Sequence, residues 1–371
     1  AVVGGSAAIF ELYYNSSILP KSPSPSGSPQ NQLANTSVAQ ETATPSPTAT
    51  PTDTPTATPT QALFSGSWSA LSALPYATAD NVAIYQQGYI YMTGGYRGRN
   101  YSPSNDDTLY RYNIATSQWE RVTSNFPGMY NSAVVQDEQQ NLYFMGGYSP
   151  DNQVVATLLY RYQPGTGASQ QISPPGQIVF GYGGSMLADQ NGHLYLMQGF
   201  MQVFGTHSSA GAGWYRYNIV QNQWDVLASL PLGVAYAVLA FDSQGNIVLM
   251  GGVTDTEQAN GTNGIYRYNV AQNSWTQENK RTPQTFNGAS SCAVGNGQVM
   301  VVGGYDPTNN VTLSNVWLID SNTLNARPLA SLPGGGSRLG TAACDGAGNV
   351  YVTRGIINDP DSPTADFLHL S

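Results

Sequence analysis

The sequence contains few of the residues that usually carry catalysis, metal binding or nucleic-acid recognition. Only 9% of its 371 residues are charged, and Lys21 and Lys280 are its only lysines. A formal net charge of -9 and a pI of about 4.6 leave no basic surface to neutralise phosphates, so nucleic acid is not an expected partner. The three histidines, His193, His207 and His369, are widely separated, which argues against a His-rich metal centre. No residue pattern predicts a cofactor or a bound metal.

Cysteine and long apolar runs are also scarce. Two cysteines are too few for a disulfide framework, and they have no CxxC spacing. Residues 1–20 begin with the apolar stretch AVVGGSAAIF, about half of the roughly 20 residues that span a bilayer. This segment fits the remnant of a membrane anchor, the tail of a signal segment or a short buried strand. The stalk-like segment that follows favours the anchor remnant.

Proline, serine and threonine dominate residues 21–63. Eight of the 23 prolines lie between residues 21 and 61, where no apolar periodicity is found. Such a composition favours extended polyproline II and buries too little apolar surface to fold, so we expect a disordered linker or stalk. Its hydroxyl groups either carry O-linked sugar or remain bare. The folded domain is therefore expected to occupy residues 64–371.

Residues 64–371 contain an internal repeat that is marked by a pair of glycines. The first positions of the pairs, including two degenerate copies, are Gly94, Gly146, Gln198, Gly251, Gly303 and Arg354. The steps between them are 52, 52, 53, 52 and 51 residues. A constant period near 50 residues with four strand segments in each period predicts six four-stranded propeller blades. Trp68 lies 51 residues before Trp119, so the segment around Trp68 is predicted to complete the last blade and close the ring.

The repeat resembles a known family. A glycine pair after a hydrophobic strand, then a tyrosine, six intervening residues and a tryptophan, is similar to the kelch repeat. The resemblance covers residues 66–371 and implies an all-β, six-bladed kelch-type β-propeller, a family that consists mostly of binding scaffolds. The second blade departs from it by lacking the tryptophan, and the fifth has VWLID at 316–320 in place of LYRYN.

Several repeated residues are predicted to be framework. An arginine occupies the equivalent strand position in four blades, as Arg111, Arg161, Arg216 and Arg267. No single-site chemistry needs the same group at four separated places, so we expect charge-assisted hydrogen bonds from blade to blade. Cys292 and Cys344 lie one period apart on the innermost strands of adjacent blades. We expect them to pack as free thiols, with a disulfide in an oxidising compartment as the alternative.

The candidate site lies on one face of the propeller, which we call the loop face. The loops that join second to third strands and one blade to the next emerge there, and they vary between blades. Counting back 15 to 18 residues from each glycine pair predicts a ring of side chains around the channel mouth: Tyr76, Tyr130, Phe180, Tyr182, Tyr236, Phe286 and Arg338. Arg97 and Arg99 lie in the first long loop. Aromatic rings suit a sugar, a peptide or an aromatic ligand, although they could instead cap the core, and Arg338 suits a carboxylate.

Two classes of function follow. The first is an extracellular or cell-surface recognition module that binds a glycan, peptide or protein at the loop face, tethered by its stalk to a membrane or cell surface. It could be the sensor ectodomain of a membrane receptor such as a kinase. The second is a sugar-active enzyme, which the resemblance to kelch-type sialic acid mutarotases implies. That chemistry needs a base beside an arginine, and we find no carboxylate at an equivalent ring position, so the sequence favours binding without catalysis.

Overall fold

The structure is a computed structural model. It describes residues 66–98, 107–123, 126, 129, 133–149, 154–155, 157–201, 209–255, 261–306, 309–357 and 362–371. Within these ranges the chain is all-β, without an α-helix, and its long strands form six four-stranded antiparallel sheets. The six-bladed architecture predicted from the glycine-pair period is thereby confirmed. The predicted anchor remnant at 1–20 and the linker at 21–63 lie outside the described residues.

Each blade contains four strands, which run from the central channel to the rim. The first strand of the chain, β1 (Trp68–Ala70), belongs to the last blade. Blade 1 contains β2 (Val82–Gln86), β3 (Tyr89–Thr93), β4 (Leu109–Asn113) and β5 (Gln118–Thr123). Blade 2 contains β6 (Ala133–Gln136), β7 (Leu142–Met145), β10 (Leu159–Gln163) and β11 (Ala168–Ile172), with a small ribbon of β8 (Tyr148–Ser149) and β9 (Val154–Val155). Blade 3 contains β12 (Met186–Ala188), β13 (His193–Met197), β14 (Trp214–Asn218) and β15 (Gln223–Val226).

The remaining three blades follow the same plan. Blade 4 contains β16 (Val238–Phe241), β17 (Ile247–Met250), β18 (Ile265–Asn269) and β19 (Ser274–Gln277). Blade 5 contains β20 (Ser290–Gly295), β21 (Gln298–Val302), β24 (Val316–Asp320) and β25 (Ala326–Pro328), with a ribbon of β22 (Tyr305–Asp306) and β23 (Val311–Thr312). Blade 6 contains β26 (Thr341–Cys344), β27 (Val350–Thr353) and β28 (Phe367–Leu370), and β1 completes it. The innermost strands contact one another in a closed circle.

The hydrophobic core lies between the blades. All four residues of β7 are buried, because both faces of a blade pack against its neighbours. Tyr143 and Leu159 of blade 2, for example, share one apolar cluster with Leu194 and Tyr215 of blade 3. Near-continuous apolar strands such as LYFM and IVLM are what a sheet covered on both faces requires.

The ring closes through the first strand, as the position of Trp68 predicts. The strand β1 pairs antiparallel with β28, with Trp68 opposite Leu370. The indole Nε1 of Trp68 also donates a hydrogen bond of 2.9 Å to the carbonyl oxygen of Ala330 in blade 5. This pairing covers the edge that β28 would otherwise expose.

The repeated arginines are bonded mainly inside their own blades. Arg111 Nε donates to Glu120 Oε2 at 2.7 Å across β4 and β5. Arg267 pairs with Glu278 at 2.7 Å in blade 4 and also donates to the Ser321 carbonyl oxygen of blade 5 at 3.1 Å. The expectation of blade-to-blade bonds therefore holds for Arg267, whereas the ion pair of Arg111 joins neighbouring strands of one blade.

The expectation of free thiols is corrected by the structure. Cys292 of β20 and Cys344 of β26 form a disulfide, with their Cα atoms 5.6 Å apart. Equivalent positions on adjacent innermost strands face each other at a separation within the usual range for a disulfide. The bond joins blades 5 and 6 covalently beside the channel.

Candidate functional site

A second layer of extended backbone lies above the blades on the loop face. In five blades, a residue just before the innermost strand forms an isolated antiparallel bridge with a residue just after the glycine pair: Ala79 with Tyr96, Tyr182 with Phe200, Ala235 with Val253, Asn287 with Tyr305, and Arg338 with Ile356. These bridges hold the loops against the channel mouth. They also give Tyr182 and Arg338 equivalent positions in blades 3 and 6.

The residue after each of these bridges adopts a left-handed conformation. We call the five described residues the mouth ring; they are Asp80, Gly183, Tyr236, Gly288 and Leu339, with φ angles of 56°, 65°, 55°, 60° and 55°. Their backbones are hydrogen-bonded from blade to blade. Leu339 N donates to Gly288 O at 2.7 Å, Tyr236 N to Gly183 O at 2.7 Å, and Asp80 N to Leu339 O at 2.6 Å. Because these backbones are equivalent, their side chains are presented in equivalent ways around the mouth.

The two glycines of the mouth ring make room for their neighbours. A Cβ atom at Gly183 would lie 3.0 Å from the ring carbons of Tyr236, and one at Gly288 would lie 2.9 Å from Cδ2 of Leu339. Both separations are closer than ordinary van der Waals contact. Tyr236 and Leu339 therefore lean over the glycine of the preceding blade, and the side chains that remain in the described ring are an acid, an aromatic and a leucine.

Arg338 presents a poorly satisfied guanidinium group at the mouth. Its backbone N and O are both bonded to Ile356, at 3.1 and 2.9 Å. The guanidinium carbon lies 4.4 Å from the ring centroid of Tyr305, which is a cation–π contact. Its Nε is buried without a hydrogen-bond partner among the described residues. Burial lowers the pKa of Arg338, while Tyr305 and Asp80 act in the opposite direction.

Asp80 lies next to Arg338 and was missed by the sequence analysis. The residue as a whole is half-buried, but its carboxyl group is enclosed by protein. Burial raises the pKa of this carboxyl group to about 8, although the positive charge of Arg338 lowers it. Burial also raises the pKa of Tyr182 to about 12, with Tyr148 and Asp80 adding to the effect. Asp80 thus interacts electrostatically with residues of blade 6 and of blade 3.

Asp80 contradicts our expectation that no carboxylate occupies the ring. Its repeat partners precede the first position of their glycine pairs by 15 residues, as Tyr236 precedes Gly251, whereas Asp80 precedes Gly94 by 14. Blade 1 is one residue shorter in this segment, which moves Asp80 out of phase with a count from Tyr76. The sequence does carry a signal here, because Asp and Asn favour left-handed positions and Asp80 begins an Asp-Asn pair.

Two of the predicted aromatic residues do not lie at the open mouth. Phe180 and Phe286 are both 0% exposed and belong to the core between blades. Strand alternation is the cause: Phe286 precedes the bridge residue Asn287 by one position, so its side chain points to the opposite side. Counting over a range of 15 to 18 residues mixed positions that face the core with positions that face the mouth.

The other predicted residues divide into three groups. Tyr76 is nearly buried, donates its hydroxyl to the Gly94 carbonyl oxygen at 2.9 Å and lies 5.0 Å from the guanidinium carbon of Arg97. Tyr182 and Tyr236 are half-buried, as expected for mouth residues. Tyr130 and Arg99 lie outside the described residues.

Tyr182, Phe200 and Tyr236 form what we call the aromatic cluster. Phe200 is 1% exposed, and its ring centroid lies 5.3 Å from that of Tyr182 and 6.1 Å from that of Tyr236. Ala235 and Val253 pack beneath the three rings. The cluster extends from blade 3 to blade 4, across the mouth from Asp80 and Arg338.

Other features of the described residues add no site for a ligand. A cavity of about 20 Å³ between blades 1 and 2, lined by Phe126, Met129 and Tyr160 among others, has room for about one water molecule. The ranges that the structure describes hold no group of His, Cys, Asp or Glu side chains that could bind a metal ion. They also contain no helix that is long and apolar enough to span a membrane.

Comparison with known proteins places most of the propeller in one family. The family model described as the Attractin/LZTR1 β-propeller matches residues 65–317. A curated relative, N-acetylneuraminate epimerase from Pasteurella multocida (strain Pm70), is 32% identical over 84 residues. The match spans 22% of this chain and 22% of the epimerase, so the chain matches only about a fifth of that relative. Together, the six blades and the family match confirm the predicted kelch-type propeller.

Proposed function

The chain belongs to the Attractin/LZTR1 β-propeller family, and from that premise we propose that it is a recognition module that binds its ligand at the channel mouth of the loop face. The blades supply the rigid frame, and the bridges above them hold Arg338 and the mouth ring in place. A fold hosts many functions, so the proposal depends on the chemistry of the mouth.

The observation that carries the proposal is the state of Arg338. An arginine buried on one side usually acquires a carboxylate or several carbonyl partners, because an unpaired polar group in a protein interior is costly. Arg338 instead lies on the ring of Tyr305, and its buried Nε lacks a hydrogen-bond partner among the described residues. A planar guanidinium group held in this way is suited to bind a carboxylate through two parallel hydrogen bonds. The ligand is therefore an acidic group, presented by a glycan, a peptide or a protein.

We further propose that the module acts outside the cell or at the cell surface. The Cys292–Cys344 disulfide supports this location, since disulfides persist mainly in oxidising compartments. The Pro/Ser/Thr-rich residues 21–63 would serve as a stalk that tethers the propeller and keeps its loop face accessible.

The proposal is tested by screening the complete chain on an array of acidic and neutral glycans and of peptides with free or amidated C-termini. We expect binding to ligands with a carboxylate and at least tenfold weaker binding after Arg338→Gln. The matched variant Arg338→Lys keeps the charge but loses the planar fork, so intermediate binding is expected. Circular dichroism and thermal melting serve as controls for folding. Unchanged affinity in a folded Arg338→Gln protein would refute the proposal.

A sugar-active enzyme is the second candidate function. The enclosed carboxyl group of Asp80 supplies the acid or base beside Arg338 that the sequence analysis did not find, and a pKa of about 8 suits proton transfer near neutral pH. The similarity of 84 residues to an N-acetylneuraminate epimerase points the same way. NMR exchange spectroscopy of N-acetylneuraminate with the wild-type protein and with Asp80→Asn tests this candidate. Interconversion no faster in the presence of the wild-type protein than in its absence would count against it.

A further inference from the structure

The two halves of the channel mouth differ in chemistry. Six blades in a closed circle place blade 1 opposite blade 4 and blade 3 opposite blade 6. Asp80 of blade 1 therefore faces Tyr236 of blade 4, and Arg338 of blade 6 faces Tyr182 of blade 3. One half of the mouth carries the charged groups, and the other half carries the aromatic cluster.

The aromatic half is built to accept a flat apolar group. Phe200, Ala235 and Val253 are buried and support the half-buried rings of Tyr182 and Tyr236 from below. The mouth ring has no side chain on either side of Tyr236, because blades 3 and 5 carry glycine there. Exposed aromatic surface next to positions that lack side chains leaves room for an apolar body to lie against the rings.

The charged half can accept an anion despite the presence of an acid. Burial raises the pKa of Asp80 to about 8, so its carboxyl group is mostly protonated at pH 7 and does not repel a bound carboxylate. A protonated carboxyl group can also donate a hydrogen bond to that anion. Arg338 supplies the positive charge, and Tyr305 holds its guanidinium group in place.

We infer that the mouth binds a small carboxylate with an apolar body, the carboxylate on Arg338 and the body against Tyr236 and Tyr182. The inference rests on the proposed function and assigns its ligand class. A polyhydroxylated acid fits less well, because its hydroxyl groups would face aromatic rings across the mouth and lose their bonds to water. An apolar alcohol would leave Arg338 without its anion.

Isothermal titration calorimetry with the complete chain and three probes tests the inference. The probes are 3-phenylpropionate, which has both halves, 3-phenylpropan-1-ol, which lacks the charge, and gluconate, which lacks the apolar body. We expect 3-phenylpropionate to bind at least tenfold more tightly than either of the others. Gluconate binding as tightly as 3-phenylpropionate would overturn the inference, and so would the absence of binding by all three probes.

Variants of the mouth distinguish the inference from the proposed function. Tyr236→Gly removes the ring and keeps the positive φ that glycine adopts in blades 3 and 5, so we expect at least fivefold weaker binding of 3-phenylpropionate. Tyr182→Leu provides a second variant of the same half if the first does not fold. Val220→Gly, at a side chain that is 86% exposed in a hairpin turn, is the control and should change nothing.

The outcomes separate cleanly. If Arg338→Gln abolishes binding of 3-phenylpropionate while folded Tyr236→Gly and Tyr182→Leu do not weaken it, the apolar half of the inference is wrong and the proposed function stands. If Arg338→Gln leaves this binding unchanged, the role of Arg338 is wrong and both proposals fail. Weaker binding in both kinds of variant supports both.

Discussion

Replacing Asp80 by asparagine should change how the stability of the propeller depends on pH. The carboxyl group ionises at about 8 in the folded protein, against an ordinary value of 3.8. Between these two values the folded chain holds a proton that the unfolded chain has lost, so rising pH favours unfolding. Each unit of pKa difference is worth about 1.4 kcal/mol, and the whole shift therefore corresponds to a stability loss on the order of 5 kcal/mol between pH 4 and pH 8. The loss is absent below pH 4 and complete above pH 8.

Asp80→Asn keeps the shape of the side chain and tolerates the φ of 56°, since asparagine is among the residues that adopt left-handed conformations most readily. Urea denaturation of both proteins from pH 5 to pH 9 measures the free energy of unfolding. Relative to the wild type, the variant should gain about 1.4 kcal/mol per pH unit up to pH 7.5 and level off above pH 8. Removing the charge of Arg338 by Arg338→Gln should extend the wild-type loss to higher pH, because that charge lowers the pKa of Asp80. A difference between the Asp80→Asn and wild-type proteins that is constant with pH would refute the reasoning.

Two further predictions concern the frame. Cys344→Ser removes the covalent link between blades 5 and 6 and should lower the free energy of unfolding by about 2–4 kcal/mol; dithiothreitol should lower the melting temperature of the wild-type protein in the same way, and a variant that melts like the oxidised wild type would contradict this. Gly303→Ala should cost about 2–4 kcal/mol by urea denaturation, because Gly303 has a φ of 68° and a Cβ atom there would overlap the carbonyl oxygen of Ser337. Gly165→Ala is its control, since nothing lies within 4 Å of the added atom, and a similar loss in both variants would argue against the steric explanation.

The architecture was predictable from the sequence because its repeat is enforced by local backbone geometry. The first glycine of a complete pair has a φ between 61° and 69°, which other residues rarely adopt, so its spacing reports the blade length. The position of Trp68 one period before Trp119 then predicts which blade the first strand completes. Neither inference needs knowledge of distant contacts.

The candidate site was less predictable because it depends on single-residue phase and on contacts between distant segments. One position separates Phe286, which is buried, from Asn287, which forms the bridge on the loop face. A segment that is one residue shorter in blade 1 conceals Asp80. The raised pKa of Asp80 follows from enclosure by other blades, which no local pattern reports. Cys292 and Cys344 likewise show their separation in sequence but not that they face each other.

The closure of the ring at β1 has a mechanical consequence. A pull on the chain that precedes Gly66 enters the propeller at β1, the outermost strand of blade 6, and acts first on its three residue pairs with β28. If β1 detached, the hydrogen bond from Asp80 N to Leu339 O and the Cys292–Cys344 disulfide would still join blade 6 to blades 1 and 5. The rim would therefore yield to tension before the centre, and a propeller under load could lose its outer strand while the channel mouth keeps its shape.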